Sequence, residues 1–409
     1  MSTSGLRRVL LAVTVSAALV VAGCSSSTGT GGSSANTSGP LKIGMSLPQS
    51  GAVADVAKSG YQGYQEWAAE VNATGGLLGR QVQLNVLDDG FDQNAVVANY
   101  NRLISQDKVD LLLGTFSSKL NAAASAVAER QKKLYIEPSG GDASLFNRGF
   151  TRLFFAQPAT TAALPDRFVE WVASLPPGQR PLTAAYVTQD DPSASPAVNG
   201  FRQKLEGLGI RTVYNQVYAP GNKTFDPIAS AIANAAPDVL IQGAVTDDGV
   251  QLVRSLQKLS YSPKILFQTQ APSDPAYPQA IGPQNVQGIF TAVGWSSKAP
   301  YPGNAQFVDS YTKRFGEPPS EDAANSYTAG QVLAAAVKAV GSLDQDALAK
   351  WLHANTVQTI VGPLKWDKTG IPEGTLLLAQ WQDGVLETVS PQSAATSTKV
   401  VNPKPGWRS

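Results

Sequence analysis

Residues 109–118 read Val-Asp-Leu-Leu-Leu-Gly-Thr-Phe-Ser-Ser, a short apolar run that is followed at once by small and hydroxyl-bearing residues. The run is apolar on both faces, which is typical of a parallel strand that helices cover on both sides of its sheet. From Ser118 to Gln131 the apolar residues recur at helical spacing. The segment therefore predicts a strand, a tight loop and a helix, the repeating unit of an α/β fold.

The same unit recurs along the chain, and residues 238–243, Asp-Val-Leu-Ile-Gln-Gly, contain a second strand of this kind. Predicted strands cover residues 41–47, 82–87, 109–114, 134–136, 183–187, 211–217 and 239–242. Predicted helices cover residues 56–71, 95–105, 118–131, 163–174, 197–208, 227–235 and 249–259. With 409 residues the chain is longer than one typical domain. We therefore predict an α/β protein with two doubly wound lobes, each built on a parallel-type central sheet.

Two of the predicted strands are followed by loops that combine small residues with hydroxyl groups. Residues 114–118 follow one strand and open a helix, and residues 137–141 follow the next strand. In doubly wound sheets ligands lie beyond the carboxyl ends of the strands, where backbone N–H groups and helix N-termini face them. These loops therefore predict a site at which backbone donors approach an anionic group closely.

The composition argues against several kinds of site. Lys and Arg number 32 against 31 Asp and Glu, so there is no positive surplus for a nucleic acid, and we predict no nucleic-acid partner. Cys24 is the only cysteine, and His353, in a segment that predicts a peripheral helix, is the only histidine. We therefore expect no disulfide, no thiolate metal site, no Ser-His-Asp triad and no cofactor.

The first residues have the layout of a secretory signal. The arginine pair Arg7-Arg8 precedes an apolar run over residues 9–22, which is short for a permanent membrane span. The run ends in Val21-Ala22-Gly23-Cys24, which resembles a bacterial lipobox. That resemblance implies a signal peptide over residues 1–23 and lipidation of Cys24, so that a lipid anchor alone holds the protein on the extracytoplasmic face of the cell membrane. An ordinary signal peptide with an incidental cysteine is the alternative.

Both ends of the remaining chain are polar. Residues 24–40 consist mainly of Ser, Thr and Gly after the cysteine, a composition that predicts a flexible linker. Residues 392–409 are polar and interrupted by proline. This tail is predicted either to lie irregularly against the folded body or to be disordered.

Between Leu41 and Pro391 a set of short landmark segments occurs in a defined order. They are Ile43-Gly44 to Ser50-Gly51, Gly60-Tyr61-Gln62-Gly63, Val71-Asn72-Ala73-Thr74-Gly75-Gly76-Leu77-Leu78-Gly79-Arg80, Leu87-Asp88-Asp89, Thr359-Ile360-Val361-Gly362-Pro363-Leu364, Gly370 and Asp383-Gly384. In this order they resemble the type I periplasmic binding proteins of the leucine/isoleucine/valine-binding family. No single landmark is specific to the family, but the ordered set covers most of the chain.

The resemblance implies two lobes that are joined by three crossovers. Lobe 1 is expected to comprise residues 41–156 and 291–357, and lobe 2 residues 157–290 and 358–391. The resemblance also implies that a small polar ligand is captured between the lobes by hinge closure and passed to the permease subunits of an ABC importer. A sensory receptor subunit, in which the same closure signals to a membrane partner, is the alternative that the sequence leaves open.

In this family the ligand carboxylate is held by a hydroxyl group and by the loop after the next strand. The resemblance places Ser118 at the hydroxyl position and Ser139, Gly140 and Gly141 in that loop. We therefore predict that the Ser118 hydroxyl and the backbone N–H groups of residues 139–141 form a carboxylate cradle. The alternative is that these residues only cap two helices.

The second lobe departs from the pattern of the family's amino-acid binders. Gln270 stands where the resemblance places an acidic partner for a ligand ammonium group. Polar residues after other second-lobe strands are candidates for this role, and solvated loops or helix caps are the alternative for each aspartate. The candidates are Asp190, Asp191, Asp247 and Asp248, and Thr246 is a further predicted ligand contact. The predicted ligand is therefore an amino acid, an amide, or an aromatic or aliphatic carboxylate that lacks an amine.

Apolar side chains are expected to line most of such a pocket. Phe116 and Val56 are predicted wall residues because they lie beside the predicted cradle or early in the first helix. Trp295 and Tyr327 are further candidates, but core packing is the default interpretation for both.

The strongest enzyme alternative is a serine acyl-transfer site. Residues 105–108, Ser-Gln-Asp-Lys, and residues 368–370, Lys-Thr-Gly, match two of its motifs. However, Ser105 ends a predicted helix instead of beginning one, and the third motif is missing from the sequence between them. We therefore predict a binding protein and not an enzyme.

Overall fold

Two sheets with helices packed on their faces form the two lobes of the structure, which confirms the predicted α/β class. The structure is a computed structural model that describes residues 39–51, 53–191 and 194–408, except for the side chains of residues 55 and 56. The predicted signal peptide and the predicted lipidation site Cys24 lie outside the described residues.

The described strands follow the predicted order along the chain. They are β1 (Leu41–Leu47), β2 (Val82–Asp88), β3 (Leu111–Leu113), β4 (Tyr135–Glu137), β5 (Leu153–Phe155), β6 (Thr183–Gln189), β7 (Arg211–Tyr218), β8 (Val239–Gly243), β9 (Ile265–Gln268), β10 (Ile289–Val293), β11 (Val357–Thr359), β12 (Gly362–Leu364), β13 (Leu377–Gln382) and β14 (Val385–Ser390). The strand predicted over residues 109–114 is shorter than expected, because only its central leucines pair within the sheet.

The described helices alternate with these strands. They are α1 (Ala54–Ala73), α2 (Gln93–Ser105), α3 (Ser118–Arg130), α4 (Asp166–Ser174), α5 (Ala194–Gly207), α6 (Asp226–Ala235), α7 (Thr246–Lys258), α8 (Tyr277–Ile281), α9 (Asn304–Phe315), α10 (Glu321–Val340) and α11 (Gln345–Ala354). Within the part of the chain that the structure describes, no helix combines the length and the apolar character that a membrane span requires.

The first sheet has the strand order β2-β1-β3-β4-β5, and its neighbouring strands are parallel. Alternate residues of β1, from Leu41 to Leu47, enter one apolar core together with α1 and α10. Leu112 of β3 enters a second core on the opposite face, where Tyr100 and Leu120 pack. Burial on both faces explains why the sequence of β3 is apolar throughout.

The second sheet has the strand order β14-β13-β10-β9-β8-β6-β7. The strands from β10 to β7 are parallel, whereas β13 and β14 form an antiparallel extension at one edge. Apolar cores again cover both faces of the sheet, with Leu240 in one core and Ile241 in the other. Each lobe therefore has its own hydrophobic core, as two separately packed sheets require.

Close contact between α1 and α10 explains one of the sequence landmarks. A Cβ atom on Gly63 would lie 2.0 Å from the carbonyl oxygen of Ala323, so no larger residue fits there. The side chain of Trp67, one turn later in α1, packs directly over Gly330 of α10. The Gly60-Tyr61-Gln62-Gly63 segment therefore serves the packing of two helices in the first lobe.

The chain crosses between the lobes three times, after β5, after β10 and after β12. The lobe boundary predicted between residues 290 and 291 falls inside β10, and residues 290–293 of this strand pair with β13. We therefore place the second crossover after Val293. The prediction was a few residues early because the sequence does not mark the end of an apolar strand.

The third crossover also lies later than predicted. Ile360, Leu364 and Trp366 pack in the core of lobe 1, and the indole N–H of Trp366 donates a hydrogen bond of 2.7 Å to the carbonyl of Phe155. The boundary predicted between residues 357 and 358 falls inside β11, the first strand of a hairpin that belongs to the first lobe. Lobe 1 therefore extends at least to Trp366.

The carboxyl-terminal tail lies against the second lobe, which agrees with one of its two predicted arrangements. The backbone N–H of Lys404 donates to the carbonyl of Lys264 at 2.7 Å, and the Trp407 indole N–H donates to the carbonyl of Tyr261 at 2.6 Å. The backbone N–H of Arg408 donates to Oδ1 of Asn285 at 2.7 Å. These contacts hold residues without regular secondary structure in place.

A carboxyl group contacts the hinge region between the lobes. Glu321, in the first turn of α10, accepts a hydrogen bond of 2.5 Å from the backbone N–H of Gly294 in the second crossover. Gln157 of the first crossover donates to the carbonyl of Pro138 at 2.8 Å, next to the predicted cradle. Burial raises the pKa of Glu321 to about 7, and the neighbouring Asp322 acts in the same direction.

We expect Glu321→Gln to change how stability depends on pH. The ordinary pKa of 4.5 describes the unfolded chain, whereas the folded pKa of Glu321 is about 7, so folding favours the protonated form. Wild-type stability therefore falls as the pH rises from about 4.5 to about 7, by at most about 3 kcal/mol. The variant cannot ionise there and should become more stable relative to the wild type over this range, as measured by urea unfolding. Glu317→Gln controls for loss of one negative charge, and parallel curves for wild type and Glu321→Gln would contradict this assignment.

Candidate ligand-binding site

The crossovers place the carboxyl edges of both sheets beside the hinge. The first crossover leaves the first sheet directly after Phe155, the last residue of β5, and the second leaves the second sheet after Val293, the last residue of β10. Both strands are parallel to their inner neighbours, so the carboxyl ends of the parallel strands border the region between the lobes. This is the position at which open α/β sheets bind ligands.

The two predicted loops of the first lobe lie together, and one side chain joins them. The amide nitrogen of Asn121 donates to the carbonyls of Thr115, Ser117 and Ser139 at 3.0, 3.0 and 2.7 Å. Its amide oxygen accepts from the backbone N–H of Thr115 at 3.1 Å and from the Tyr135 hydroxyl at 2.6 Å. The loops that follow β3 and β4 are therefore fixed to each other by a buried amide.

The Ser118 hydroxyl does not cap its own helix. Ser117 is the N-cap of α3, and its hydroxyl accepts from the backbone N–H of Leu120 at 3.5 Å. The Ser118 hydroxyl instead accepts from the backbone N–H of Asp142, in the opposite loop, at 3.2 Å. Among the described residues no acceptor is hydrogen-bonded to the Ser118 hydroxyl proton, so it can be donated to an anion, as the carboxylate-cradle hypothesis requires.

Gly140 brings the second loop into contact with the start of α3. Its φ is +115°, and a Cβ atom there would lie 2.7 Å from both the backbone nitrogen and the hydroxyl oxygen of Ser118. Gly141, with φ of +91°, has its carbonyl occupied by the backbone N–H of Thr161 at 2.9 Å. The hydroxyl of Ser139 accepts from the backbone N–H of Ser117 at 3.4 Å. The structure therefore brings together Ser118, Ser139, Gly140 and Gly141.

A buried acid lies beneath this cradle, at the end of β4. Glu137 is fully buried, and its burial raises the pKa of the carboxyl group well above its usual value, although the nearby Arg148 guanidinium acts in the opposite direction. The raised pKa favours the neutral form of the acid. A neutral Glu137 does not repel an anion in the loops above it.

Other groups lie at the same carboxyl edge of the first sheet. Phe116 is half-buried, and its ring centroid lies 6.4 Å from that of Phe91. A cavity of about 250 Å³ is lined by residues around the end of β1 and the start of α1, among them Gln49, Lys58 and Tyr61. The predicted wall residue Val56 belongs to α1, but its side chain lies outside the described part of the chain.

The second-lobe candidates lie at the carboxyl edge of the other sheet. Gln270 is exposed and follows β9, while Asp247 is exposed in the first turn of α7, next to a half-buried Thr246. Asp191 is half-buried, and its Oδ1 accepts from the backbone N–H of Ala194 at 2.9 Å, so it acts as a helix cap. Asp190 is exposed.

The same edge contains a buried network around Asp248, one of the predicted candidates, whose partners Tyr218 and Gln189 the sequence did not indicate. Asp248 is only 6% exposed, and its Oδ2 accepts from the Tyr218 hydroxyl at 3.0 Å and from Nε2 of Gln189 at 3.4 Å. The helical phase was an available signal, because Asp248 is spaced four and eight residues from the buried Leu252 and Leu256. Asp247 lies on the exposed side of the same turn.

Trp295, Tyr327 and His353 pack against neighbouring side chains of lobe 1. The Trp295 indole N–H donates to Asn304 Oδ1 at 2.7 Å, and the Tyr327 hydroxyl donates to Glu70, so both residues belong to the core of lobe 1. His353 lies on α11, as expected for a peripheral helix, with its ring 4.6 Å from that of Phe154.

The geometry defines a class of protein: two α/β lobes, three crossovers, and polar loops at the strand ends that border the hinge, which together describe a type I solute-binding protein. A family model described as periplasmic binding protein matches residues 40–385. The chain therefore belongs to the type I periplasmic binding proteins of the leucine/isoleucine/valine-binding family.

The comparisons with individual proteins agree with this assignment. The chain is 27% identical over 386 residues to Leu/Ile/Val-binding protein homolog 7 of Brucella suis, which covers 89% of this chain and 94% of that protein. The isoleucine complex of LivJ, a branched-chain amino acid transporter substrate binding protein from Streptococcus pneumoniae, has a TM-score of 0.73 at 20% identity and covers 85% of this chain and 98% of its own. A benzoate-bound solute binding protein from R. palustris has a TM-score of 0.70 at 22% identity, with 89% and 99% coverage.

We expect Gly140→Ala to disrupt the cradle. The new methyl group would collide with Ser118 and would also force a non-glycine residue into an unfavourable φ, at a combined cost of at least about 2 kcal/mol. Gly149→Ala is the matched control, because its φ is +74° but no heavy atom lies within 4 Å of the place its methyl group would take, so only the backbone cost of about 1 kcal/mol remains. Urea unfolding measures both, and equal losses of stability would show that the loop contact is not tight.

Proposed function

We propose that this protein captures a small carboxylate-bearing ligand, an amino acid or a related carboxylate or amide, between its two lobes and delivers it to the permease subunits of an ABC importer. The observation that carries this proposal is the arrangement of Ser118 and residues 139–141. A hydroxyl whose proton has no acceptor among the described residues and a glycine-rich loop meet at a helix N-terminus, and all three features favour a negatively charged group.

The known relatives support this range of ligands. Leu/Ile/Val-binding names occur among the relatives by sequence, and the solved structures of similar fold include complexes with isoleucine and with benzoate. These ligands share a carboxylate and differ in whether they carry an amine. A cradle that recognises the carboxylate is compatible with both kinds of ligand, so the second lobe must distinguish them.

Hinge closure is the physical step that links binding to delivery. Gln157 connects the first crossover to the carbonyl of Pro138, immediately before the loop that contains Gly140. Occupation of the cradle therefore acts on a loop that is hydrogen-bonded to the hinge. A ligand that contacts both lobes favours the closed arrangement by its differential affinity, and closure creates the composite surface that a permease can recognise.

The proposal includes a lipid anchor at Cys24. The run Val21-Ala22-Gly23-Cys24 supports it, together with the Ser/Thr/Gly-rich residues that separate this cysteine from β1. A tether of this composition allows the two-lobed body to reach a permease in the same membrane. The proposed location is the extracytoplasmic face of the cell membrane.

A thermal-shift screen of the full chain tests the ligand class. The panel comprises amino acids, amides, and aromatic and aliphatic carboxylates. A ligand at a hundredfold excess over its Kd stabilises the folded state by about 2.7 kcal/mol, which raises the melting temperature measurably. We expect a shift with at least one carboxylate-bearing compound, and we expect Ser118→Ala to reduce it strongly, because the variant removes the hydroxyl donor.

Ser105→Ala is the matched control for this screen. Ser105 is exposed at the end of α2, where its hydroxyl donates to the carbonyl of Asn101 at 2.6 Å; this end of α2 precedes the start of β3, whereas the cradle follows the end of β3. The control should keep the full ligand-induced shift. If no carboxylate shifts the melting temperature, or if Ser118→Ala and Ser105→Ala behave alike, the proposed ligand class is wrong.

Replacement of Cys24 by serine tests the anchor. In a bacterial host that processes lipoproteins, we expect the wild-type chain to remain in the membrane fraction and its amino-terminal peptide to carry acyl chains by mass spectrometry. Cys24→Ser removes the thiol that the acyl group requires and should release the protein from the membrane fraction. Membrane retention of the serine variant would contradict the lipid-anchor proposal.

A further inference from the structure

The cavity at the start of α1 is lined by apolar residues on its walls and by three polar side chains. It has a volume of about 250 Å³ and lies between the end of β1 and the first turns of α1. Its helical wall consists of residues spaced three and four apart, which lie on one face of α1. The apolar lining residues include Leu47, Ala54 and Ala57, and the polar ones are Gln49, Lys58 and Tyr61.

The three polar side chains of this cavity are not used to hold the fold together. Among the described residues, no acceptor is hydrogen-bonded or ion-paired to the ammonium group of Lys58, which is exposed. Within the same part of the chain, the hydroxyl of Tyr61 and the side-chain amide of Gln49 also have no hydrogen-bond partner. The cavity therefore combines one positive charge with two neutral groups that can donate hydrogen bonds.

The cavity lies one strand away from the cradle, at the same edge of the first sheet. β1 and β3 are parallel neighbours, and the hydroxyls of Ser46 and Thr115 both donate to Oδ2 of Asp89, at 2.8 and 3.3 Å. From α1, the Tyr64 hydroxyl donates to the carbonyl of Gly114 at 3.0 Å. Because Gly114 and Thr115 begin the first loop of the cradle, a small ligand held in the cradle can extend into the cavity.

Two other charged groups near the cavity differ from Lys58 because they have partners. The carboxylate of Asp88, at the end of β2, accepts from the backbone N–H of Gln49 at 2.8 Å. The ammonium group of Lys119, at the start of α3, lies over the ring of Phe91 at 5.9 Å from its centroid. The described residues that line the cavity include no acid, so its charge is positive.

We propose that this cavity is a subsite for a second anionic group of the ligand, with the Lys58 ammonium as its counter-charge and the side chains of Gln49 and Tyr61 as hydrogen-bond donors. The ligand is then a small dicarboxylate, with one carboxylate in the cradle and the other in the cavity. This inference rests on the proposed function, because it assumes that the cradle holds the first carboxylate. It narrows the proposed ligand class to molecules with two acidic groups.

The charge of the second group, and not its shape, should determine selectivity. A carboxylate and a primary amide have nearly the same size, so the cavity accommodates either one. A carboxylate accepts from the ammonium group and from both neutral donors, whereas an amide carries no charge to pair with Lys58. Because Lys58 is exposed, water screens the interaction, and its contribution lies at the low end of the range for charged hydrogen bonds.

The test compares diacids with their monoamides by isothermal titration of the full chain. The pairs are L-aspartate with L-asparagine, L-glutamate with L-glutamine, and succinate, glutarate and adipate each with its monoamide. In the wild type, at least one diacid should bind more tightly than its amide. Lys58→Gln should weaken that diacid by about tenfold, because one charged hydrogen bond is lost, and should leave the amide unchanged. The melting temperature without ligand should also stay the same, because Lys58 is exposed.

Lys350→Gln is the matched control, since it removes one exposed positive charge from the same lobe. Lys350 lies beside Thr151 and Arg152, which precede β5, and therefore at the opposite edge of the sheet. This variant should bind the diacid as the wild type does. The inference is wrong if no diacid binds more tightly than its amide, if Lys58→Gln weakens both members of a pair equally, or if the two lysine variants behave alike.

The thermal-shift screen separates failure of this inference from failure of the proposed function. If a monocarboxylate still gives a shift that depends on Ser118 while no diacid is preferred, the proposed function stands and the second anionic subsite is rejected. If no carboxylate of either kind gives such a shift, both are rejected.

Discussion

The amide side chain of Asn121 connects the two loops on which the first-lobe site depends. It makes five hydrogen bonds, three as donor and two as acceptor, to the loops after β3 and β4 and to the Tyr135 hydroxyl. A buried amide is stable only when these groups are paired, so the loops and the helix that carries Asn121 order one another. The position of Ser118 relative to Gly140 follows from this arrangement.

The crossovers at the hinge connect the first-lobe loops to the rest of the molecule. All three crossovers lie next to strand ends or packed side chains, and polar contacts such as those of Gln157 and Glu321 connect them to lobe 1. The lobes have separate cores, so relative motion does not require either core to be disrupted. Separate cores joined by three crossovers are the arrangement that the proposed capture of a ligand by closure requires.

Four aspartates of the second lobe have similar positions in the sequence but different degrees of burial. Four aspartates follow strands of this lobe, and as sequence positions they are equivalent candidates for contact with a ligand. Their environments differ because each side chain points from its helix or loop in a different direction. Asp191 caps a helix, Asp247 is exposed, and Asp248 is buried against Tyr218. The same residue type therefore has a different pKa and a different solvation energy depending on whether it is buried.

The sequence by itself determined the α/β class, the order of strands and helices, the family, and the two first-lobe loops that are predicted to form the cradle. These properties depend on local periodicity and on strand–loop–helix order, and both can be recognised from consecutive residues of the sequence. Tertiary structure decided the crossover after Val293, the extension of lobe 1 to Trp366, the clamp by Asn121 and the burial of Asp248. Each of these depends on contacts between residues that are distant in sequence. A local sequence pattern does not indicate which of several similar side chains will be buried by an element from elsewhere in the chain.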